Sequence, residues 1–564
     1  KWQDAEKLEK DQMMALNTFI DKGHKSTARR PGPEYTRIDL HTVYAVKHDG
    51  RHKSRIVAGG HMTATPLESV YSGVVSLRGV RFVVFLAELN GLELYQTDIS
   101  NAYLESYTQE KVYVIGGPEL HELEDHVLII HKALYGLKSS GLRWHERFAD
   151  VLRDMGFTAS TAEPDIWFRA MDKDGNVIKD LDKNLSRMKA TTTEKPTPSN
   201  DGSYYEYIAV YTDDLTIASK DPLGIVKALT ENYKFKFKGT APLNFLLGCD
   251  YYRDRHGVLC AEPKKYLDKM EETYFRLFGT KPPQKVHSPL EANDNPELDT
   301  SELLDDEWTR KYQSLIGSAQ WIVSLGRFDI AVHVGTLSSF RAMPRQGHLD
   351  RIKRVYAYLC KFRHGTIRYR TEMPDVSDYE FPKKDWHDTP FYDSKEEFPT
   401  NLPTPRGKPV LMTTYVDANL GHDKISGKSC TGVLHFLNKT PIDWFSKKQG
   451  TVESATFGSE NVAARTALEQ IKANKLALMH LGVPIHDTPI LLGDNKSVVD
   501  SNTQPKGKLH KRHLMLSYNF VREAVASGAL RFSHIAGDIN LSDVLSKHWS
   551  HGKVWHLLKP VLFW

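Results

Sequence analysis

The sequence predicts a multidomain protein that combines α+β and α/β units. The chain has 564 residues, too many for a single hydrophobic core, and its length suggests about three or four domains. Short β-branched runs and longer segments of helical periodicity occur on both sides of residues 371–410. That stretch is acidic, aromatic and proline-rich without periodicity, so we predict a tether that is ordered or semi-ordered, with a new globular unit beginning near residue 411.

Composition places few limits on function. Hydrophobic residues make up 40% and charged residues 26% of the chain, and Lys plus Arg number 75 against 71 for Asp plus Glu. These values are ordinary for globular proteins, and the small net charge does not indicate a partner. No apolar run approaches the ~18 residues that span a membrane, and no signal peptide is visible. The scattered cysteines form no CxxC pair and indicate buried thiols in a reducing compartment: Cys249, Cys260, Cys360 and Cys430.

The first 60 residues combine a predicted helix with a predicted hairpin. The chain begins at Lys1 without methionine, so we expect a piece excised from something longer. Residues 1–30 are expected to form an amphipathic helix that a Pro-Gly-Pro run ends. Strands are predicted at 42–47 and 55–57, joined through His48-Asp49-Gly50. The hairpin carries a basic cluster, which alone is as typical of a solvated face as of a functional one: Lys47, Arg51, Lys53 and Arg55.

A strand ending in an acid follows the next helix. Residues 74–89 predict an apolar helix that Gly91 ends, and residues 92–99 predict a strand that carries Asp98 at its end. Five residues later, Tyr103 could be either a core aromatic or a residue lying beneath a nucleotide sugar.

Residues 207–218 predict two short strands joined by a tight turn. The turn carries two adjacent carboxylates, Asp213 and Asp214, which repel each other. A divalent cation would relieve this repulsion, and Mg²⁺ usually takes one or two protein carboxylates plus substrate phosphates. An isolated Asp-Asp pair is more typical of an ordinary turn, but Asp98 could supply a third carboxylate beside it.

The intervening segments predict loops and an insertion. Gly136 permits close backbone approach in a loop where Lys138 offers a cation, and a helix is expected at 142–155. Residues 171–203 are rich in Asp, Lys, Thr, Ser and Pro, and predict a surface insertion. Within it, residues 172–176 predict a hairpin turn rather than a calcium loop, because the glycine comes too early and the final Glu is missing.

A helical module follows the hairpin. Residues 244–252 predict two strand pieces around Gly248, and residues 308–360 are expected to be helical. Basic residues on the polar side of the last helix suit a phosphate backbone: Arg351, Lys353 and Arg354.

The unit after residue 411 carries its own dispersed acids. Three of them end a predicted strand or begin a helix, and Glu460 lies on a helix face that should be buried, which is costly without compensation. Any one of these acids is more typical of a cap or a surface residue. Four in this order indicate a two-metal nuclease site: Asp417, Glu460, Asp494 and Asp543.

Several motifs in one order resemble the reverse transcriptase–RNase H portion of copia-type LTR retrotransposon polyproteins over nearly the whole chain. In the first half these are Lys53-Ser54-Arg55-Ile56-Val57-Ala58, Thr97-Asp98-Ile99-Ser100-Asn101-Ala102-Tyr103-Leu104, Lys132-Ala133-Leu134-Tyr135-Gly136-Leu137-Lys138 and Tyr211-Thr212-Asp213-Asp214. Further on they are Tyr312-Gln313-Ser314-Leu315-Ile316-Gly317-Ser318, Arg327-Phe328-Asp329-Ile330-Ala331, Tyr415-Val416-Asp417-Ala418, Lys447-Lys448-Gln449, Gly493-Asp494-Asn495 and Asp543-Val544-Leu545-Ser546-Lys547.

The resemblance implies a right-hand polymerase followed by an RNase H-like domain. It implies fingers and palm at 1–255 with the insertion at 171–203, a thumb-like helical module at 256–370, a tether at 371–410, the RNase H-like domain at 411–550 and a C-terminal tail at 551–564. The expected activity is RNA- and DNA-directed DNA synthesis with cleavage of the RNA strand of hybrids.

The resemblance also assigns residues. Each of two sites would bind two Mg²⁺, or Mn²⁺ in their place. The ligands of the polymerase site would be Asp98, Asp213, Asp214 and the carbonyl of Ile99. The ligands of the nuclease site would be Asp417, Glu460, Asp494 and Asp543. Lys53 and Arg55 would contact the triphosphate, and Tyr103 would exclude ribonucleotides. Leu247 and Gly248 would form the primer grip. The other expected substrate contacts are Ala102, Gly136 and Lys138.

Expected partners are an RNA template, a DNA primer, the RNA–DNA hybrid and dNTPs, with integrase and capsid regions of the same polyprotein and no membrane. The expected location is the cytoplasm, within virus-like particles. Three stretches depart from the pattern of the family that the chain resembles: Thr212 replaces Val, Ser139-Ser140-Gly141 replaces Gln-Ser-Pro, and Gly458 replaces an extra Glu. A decayed or domesticated copy that only binds nucleic acid is the rival hypothesis, although all seven expected acids are retained.

Overall fold

The computed structural model describes residues 1–46, 50–66, 69–178, 190–381, 383–507, 509 and 512–563. Within these residues the α-helices are, in chain order, α1 Trp2–Ala15, α2 Leu77–Asn90, α3 Ser140–Asp154, α4 Pro222–Tyr233, α5 Lys264–Phe278, α6 Asp306–Ser324, α7 Ala331–Ser338, α8 Gln346–Lys361, α9 Thr456–His480, α10 Lys496–Thr503, α11 Met515–Ala526, α12 Asp543–Ser546 and α13 His551–Leu562. None of the described helices combines the length and the apolar character that a bilayer crossing requires.

The strands of the first half are β1 Phe19–His24, β2 Thr36–Arg37, β3 Leu40–Val46, β4 His52–Ala58, β5 Glu93–Ile99, β6 Val112–Ile115, β7 His126–Ile130, β8 Thr158–Ala159, β9 Ile166–Met171, β10 Thr191–Thr192, β11 Tyr204–Tyr211, β12 Asp214–Ser219 and β13 Phe237–Pro242. Those of the second half are β14 Phe245–Leu246, β15 Cys249–Arg253, β16 Leu259–Glu262, β17 Ile367–Arg368, β18 Phe398–Pro399, β19 Met412–Asn419, β20 Cys430–Leu437, β21 Thr440–Lys448, β22 Ile490–Gly493 and β23 Arg531–His534.

The chain forms two compact units, each assembled from separate stretches of sequence. The first unit contains residues 1–75, 95–169 and 207–241, and the second contains residues 76–94, 170–206 and 242–564. The five-part division expected from the sequence stays a prediction, because both units are interrupted in sequence.

The first unit is built on a six-stranded sheet of order β13-β5-β12-β11-β9-β8. Helices α3 and α4 cover it with a core in which Trp144 and Phe148 stack at 5.2 Å and Leu215, Ile217 and Leu229 are buried. A second core in this unit lies between α1, the sheet β1-β7-β6-β2 and the hairpin β3/β4. The predicted hairpin is therefore present, but His48 and Asp49 of its turn lie outside the described residues.

The second unit contains a five-stranded sheet of order β21-β20-β19-β22-β23. Strands β19, β20 and β21 are antiparallel, whereas β22 and β23 run parallel to β19. Helix α9 covers one face, where the Gln470 side chain meets His435 at 2.9 Å, and α12 crosses the other face over Gly432. Helix α2 also packs on this sheet, since the Arg81 guanidinium lies 4.1 Å from the Trp444 ring centre.

The expectation about the start of the chain was wrong. The helix predicted for residues 1–30 ends at Ala15, because Asn17 takes a φ of 53° and Phe19–His24 pairs with β7. At the other end, residues 551–562 of the predicted C-terminal tail form α13 and bury Val554, Leu557 and Leu558.

The predicted insertion and tether are joined to each other. Residues 179–189 lie outside the described residues, but Thr191–Thr192 pairs with Phe398–Pro399, and the Ser199 amide donates to the Pro405 carbonyl at 2.9 Å. The turn at 172–176 is a hairpin as predicted, with Asp172 accepting from the Asn176 amide at 2.8 Å.

Candidate polymerase and nuclease sites

The hairpin that carries Asp213 and Asp214 forms as predicted. Strands β11 and β12 pair up to Tyr211 opposite Asp214, so a two-residue loop joins them. Thr212 takes a φ of 60°, a conformation that hairpin loops use and that a β-branched residue rarely adopts. Its carbonyl accepts a hydrogen bond of 2.8 Å from the Trp144 indole, which holds the loop against α3.

Asp98 lies beside this loop. Strand β5 is next to β12 in the sheet, and the Ile99 amide donates to the Asp213 carbonyl at 2.8 Å. A single hydrogen bond therefore joins the residue after Asp98 to the loop that carries the other two acids. The three residues expected to share metal ions therefore lie at neighbouring strand ends of one sheet, although their carboxylates are not among the described groups with metal-ligand spacing.

Aromatic and basic side chains lie near these acids. The ring of Tyr103 lies 5.0 Å from that of Tyr135, whose ring centre is 5.1 Å from the Arg55 guanidinium. Burial raises the pKa of Tyr103, and the negative charge of Asp213 raises it further. Tyr103 is half-buried and also packs against the unit's hydrophobic core, so both sequence-based interpretations of this residue are compatible with its position. Ala102 is buried in the same turn.

The loop around Gly136 brings two backbones unusually close. Gly136 takes a φ of 93°, and a Cβ placed on it would lie 2.1 Å from the Ala58 carbonyl oxygen. Residue Ala58 ends β4, the strand that carries Lys53 and Arg55. The Lys138 ammonium donates to the Thr63 carbonyl at 2.6 Å. Its expected contact with a nucleotide stays a prediction.

In the second unit, Leu247 and Gly248 form the turn between β14 and β15. Their φ values are 51° and 101°, and a Cβ on Gly248 would lie 3.1 Å from Leu325. Their expected role in a primer grip is likewise a prediction.

Three of the acids expected in the nuclease converge. Asp417 lies on β19, Glu460 lies on α9 and Asp494 follows β22, and one carboxylate oxygen from each lies within 4.8 Å of the others. Asp417 is 2% exposed and Glu460 is 9% exposed. Within the described part of the chain this is the one group of three or more potential metal ligands with such spacing.

The electrostatics of this trio favour a cation. Burial, together with the charges of Asp417 and Asp494, raises the pKa of Glu460 to about 9. Burial and Asp417 also raise the pKa of Asp494. Three clustered carboxylates in a poorly hydrated site repel one another, and oxygen ligands at this spacing suit a divalent ion such as Mg²⁺. The residues present therefore fit the expected metal.

Asp543 lies next to the trio but is engaged by a lysine. The Lys547 ammonium is 2.8 Å from Asp543 and 3.4 Å from Asp417. Burial and the charge of Asp417 raise the pKa of Asp543 to about 6. The Ser546 hydroxyl donates to Asp417. Sequence reasoning assigned no role to Ser546 or Lys547, although the i, i+4 spacing of Asp543 and Lys547 favours this ion pair.

The chain is similar in sequence to known proteins. Residues 31–182 match the family described as Reverse transcriptase (RNA-dependent DNA polymerase). The chain is 26% identical over 528 residues to the Retrovirus-related Pol polyprotein from transposon RE1 of Arabidopsis thaliana, and the match covers 92% of this chain and 31% of that polyprotein. It is 24% identical over 519 residues to the corresponding polyprotein from transposon TNT 1-94 of Nicotiana tabacum, covering 90% and 34%.

Among solved structures, the chain is similar to the foamy viral protease-reverse transcriptase in complex with RNA/DNA hybrid. Its identity is 10%, its TM-score is 0.44, and the match covers 93% of this chain and 52% of that one.

The sheet of the second unit and its clustered acids have the arrangement expected for an RNase H-like domain, and the residues that match the reverse transcriptase family precede them in the chain. Over about nine-tenths of its length the chain is similar to the Pol polyproteins of these two plant transposons, and residues 31–182 match the reverse transcriptase family. It spans about a third of the length of the curated relatives it matches.

Proposed function

We propose that this chain copies RNA into DNA and cleaves the RNA strand of RNA–DNA hybrids, with metal-assisted phosphoryl transfer at both sites. The observation that carries the proposal is the convergence of Asp417, Glu460 and Asp494 within 4.8 Å. The hairpin with Asp213 and Asp214 beside Asp98 supports the polymerase half. The proposed partners are an RNA template, a DNA primer and dNTPs.

At the polymerase site, the carboxylates of Asp98, Asp213 and Asp214 and the carbonyl of Ile99 would hold two Mg²⁺. When bound there, the metal pair would lower the pKa of the primer 3′-hydroxyl and would neutralise negative charge on the leaving pyrophosphate. The protein contributes positioning and charge, as in other phosphoryl transfers. Arg55 and Lys53 supply cations on β4 for the triphosphate.

At the nuclease site, Asp417, Glu460 and Asp494 would hold the same kind of metal pair, with Asp543 at its margin. The Lys547 ammonium forms ion pairs with both Asp417 and Asp543, so it offsets part of the negative charge of the acids. Ser546 orients Asp417 through its hydroxyl. These contacts place the acids before a substrate arrives, which limits reorganisation during the reaction.

The proposal is tested by primer extension on a labelled RNA template with Mg²⁺ or Mn²⁺. We expect extension accompanied by template cleavage. Asp213→Asn should abolish extension and leave cleavage of a preformed hybrid intact, whereas Asp494→Asn should do the converse. Asp443→Asn is the matched control, because Asp443 is an acid of the same sheet that lies outside the trio.

Two results would contradict the proposal. Loss of both activities in either single variant, with folding intact, would refute two independent sites. Tight hybrid binding without either activity in both metals would favour the decayed copy instead.

A further inference from the structure

A cavity of about 540 Å³ in the second unit is lined by Asp543, one of the acids expected in the nuclease, and by its partner Lys547. Three parts of the chain line it: the loop at residues 291–299, the end of β19 with α12, and helix α13. Residues on its walls include Asn293, Asn419, Asp543, Lys547, Lys553 and His556. The loop precedes α6 and is distant in sequence from the RNase H-like domain.

Loop 291–299 is held in place from two sides. The Arg351 guanidinium donates to Asp294 at 2.8 and 3.0 Å and to Asp299 at 2.6 Å. From the nuclease side, the His548 imidazole donates to the Asp294 carbonyl at 3.1 Å, and Glu297 accepts from the Lys424 amide at 2.8 Å. The loop therefore forms a fixed wall of the cavity.

The walls carry both acids and bases. Asp294 is paired with Arg351, and Asp543 is paired with Lys547, whereas Asp538 is exposed. The groups that could meet an anion are therefore the remaining cations and amides.

Lys553 is exposed on α13, and no ion pair of its ammonium occurs among the described residues. The side-chain amide of Asn293 on the opposing loop is exposed as well. A cation and an amide donor beside a site for phosphodiester cleavage match the charge and hydrogen-bonding needs of a neighbouring phosphate.

We propose that this cavity holds the sugar–phosphate backbone of the hybrid next to the scissile phosphodiester, with Lys553 neutralising one phosphate and Asn293 donating to the backbone. The identity of the ligand rests on the proposed function. The consequence is that loop 291–299 is part of the nuclease, although it lies outside residues 411–550.

Equilibrium binding of a blunt-ended RNA–DNA hybrid to the full chain tests the proposal, with Ca²⁺ replacing Mg²⁺ to prevent cleavage. The affinity is measured over a range of salt concentrations for the wild type, Lys553→Gln and the control Lys559→Gln. Lys559 is an exposed lysine of the same helix that does not line the cavity. Loss of one phosphate contact lowers the slope of log K against log salt by about 0.9, and we expect this change only in Lys553→Gln. Equal slopes in the two variants would overturn the proposal.

A second variant tests the loop. Asn293→Ala should weaken hybrid binding in Ca²⁺ and raise KM for hybrid cleavage several-fold, with kcat nearly unchanged, because it removes a substrate contact and none of the acids expected to hold the metal. Hybrid affinity equal to that of the wild type would exclude the loop from the site. Absence of cleavage in the wild type would instead refute the proposed function, and the binding comparisons would still decide whether the cavity holds the hybrid.

Discussion

Glu453 places a buried carboxylate beside Gly458. The resemblance to copia-type polyproteins predicts a Glu at position 458, two residues before Glu460. A Cβ on Gly458 would lie 2.3 Å from the Glu453 carboxylate, so that carboxylate occupies the space of the absent side chain. Glu453 is buried and accepts a hydrogen bond of 3.0 Å from the His513 imidazole. The start of α9 therefore keeps a buried acid, supplied from a different position.

Tyr103 gives a prediction at this scale. Replacing Tyr103 with Ala should raise ribonucleotide incorporation, because the missing ring would leave room for a 2′-hydroxyl. The measurement is the ratio of rNTP to dNTP incorporation in primer extension. Tyr107→Ala is the control, since it removes a more exposed tyrosine from the same segment. Unchanged sugar selectivity in the Tyr103 variant would leave Tyr103 as a residue of the core.

The basic residues of α8 show what periodicity cannot predict. Their position on the polar side of the helix suggested contacts with a phosphate backbone. In the structure Arg351 pairs with Asp294 and Asp299, and Arg354 pairs with Glu291. These acids lie more than 50 residues earlier in sequence, so helical periodicity shows that the face is polar but not which charge meets it. Contact of Arg351 and Arg354 with a phosphate backbone therefore stays a prediction, and it would have to compete with these ion pairs.

At the scale of the element, local patterns predicted most strands and helices that carry the acids. The hairpin at Asp213, strand β5, strand β22 and the cap by Asn495 all follow from short-range signals, and Asn495 accepts from the Val498 amide at 3.2 Å. The strand β1 was missed because its pairing with β7 is formed over more than 100 residues. Residues 19–24 form a strand and not a helix because they pair with this distant strand.

Gly136 supplies a prediction for an element. Gly136→Ala should destabilise the first unit by about 3 kcal/mol or more, because the new Cβ cannot coexist with the Ala58 carbonyl. Gly239→Ala is the control in the same unit, because Gly239 has a φ of 67° and its new methyl group would meet no atom within 4 Å. It should lose about 1 kcal/mol from backbone strain alone. The measurement is the urea midpoint of unfolding, and equal losses would show that the close approach does not contribute.

At the scale of the whole molecule, the sequence indicated the order of the motifs but not the composition of the two units. Helix α2 precedes Asp98 in sequence, yet it belongs to the second unit, where Arg78 donates to Asn474 at 3.0 Å. Packing of this kind depends on surfaces that are complete only after both partners have folded. Motif order, by contrast, survives in sequence because each motif has local requirements.

A histidine cluster in the second unit predicts acid sensitivity. His333 and His548 stack at 5.1 Å, and His422 meets His548 edge-on at 5.0 Å. Burial lowers the pKa of all three, that of His422 to about 3, and the positive charges of His548 and Lys448 lower the pKa of His422 further. The folded state therefore binds fewer protons than the unfolded state below pH 6.5. The contribution of these neutral, buried histidines to the free energy of unfolding is therefore complete above pH 6.5 and is lost as the pH falls towards 3.

The test is the free energy of unfolding as a function of pH. His422→Gln should lower the slope between pH 6.5 and about 3 by roughly 1.4 kcal/mol per pH unit, which corresponds to one proton. His387→Gln, at an exposed histidine, is the control. A slope that is identical in both variants would show that His422 does not contribute to the acid transition.

The pairing of Thr191–Thr192 with Phe398–Pro399 has a consequence for how this lineage can change. The Tyr205 hydroxyl and the Ser203 carbonyl also contact residues 404 and 407. A deletion that removed either segment would leave the other without its partner, so such deletions should be inherited in pairs. Among descendants of one ancestral element, copies that have shortened one segment should have shortened the other.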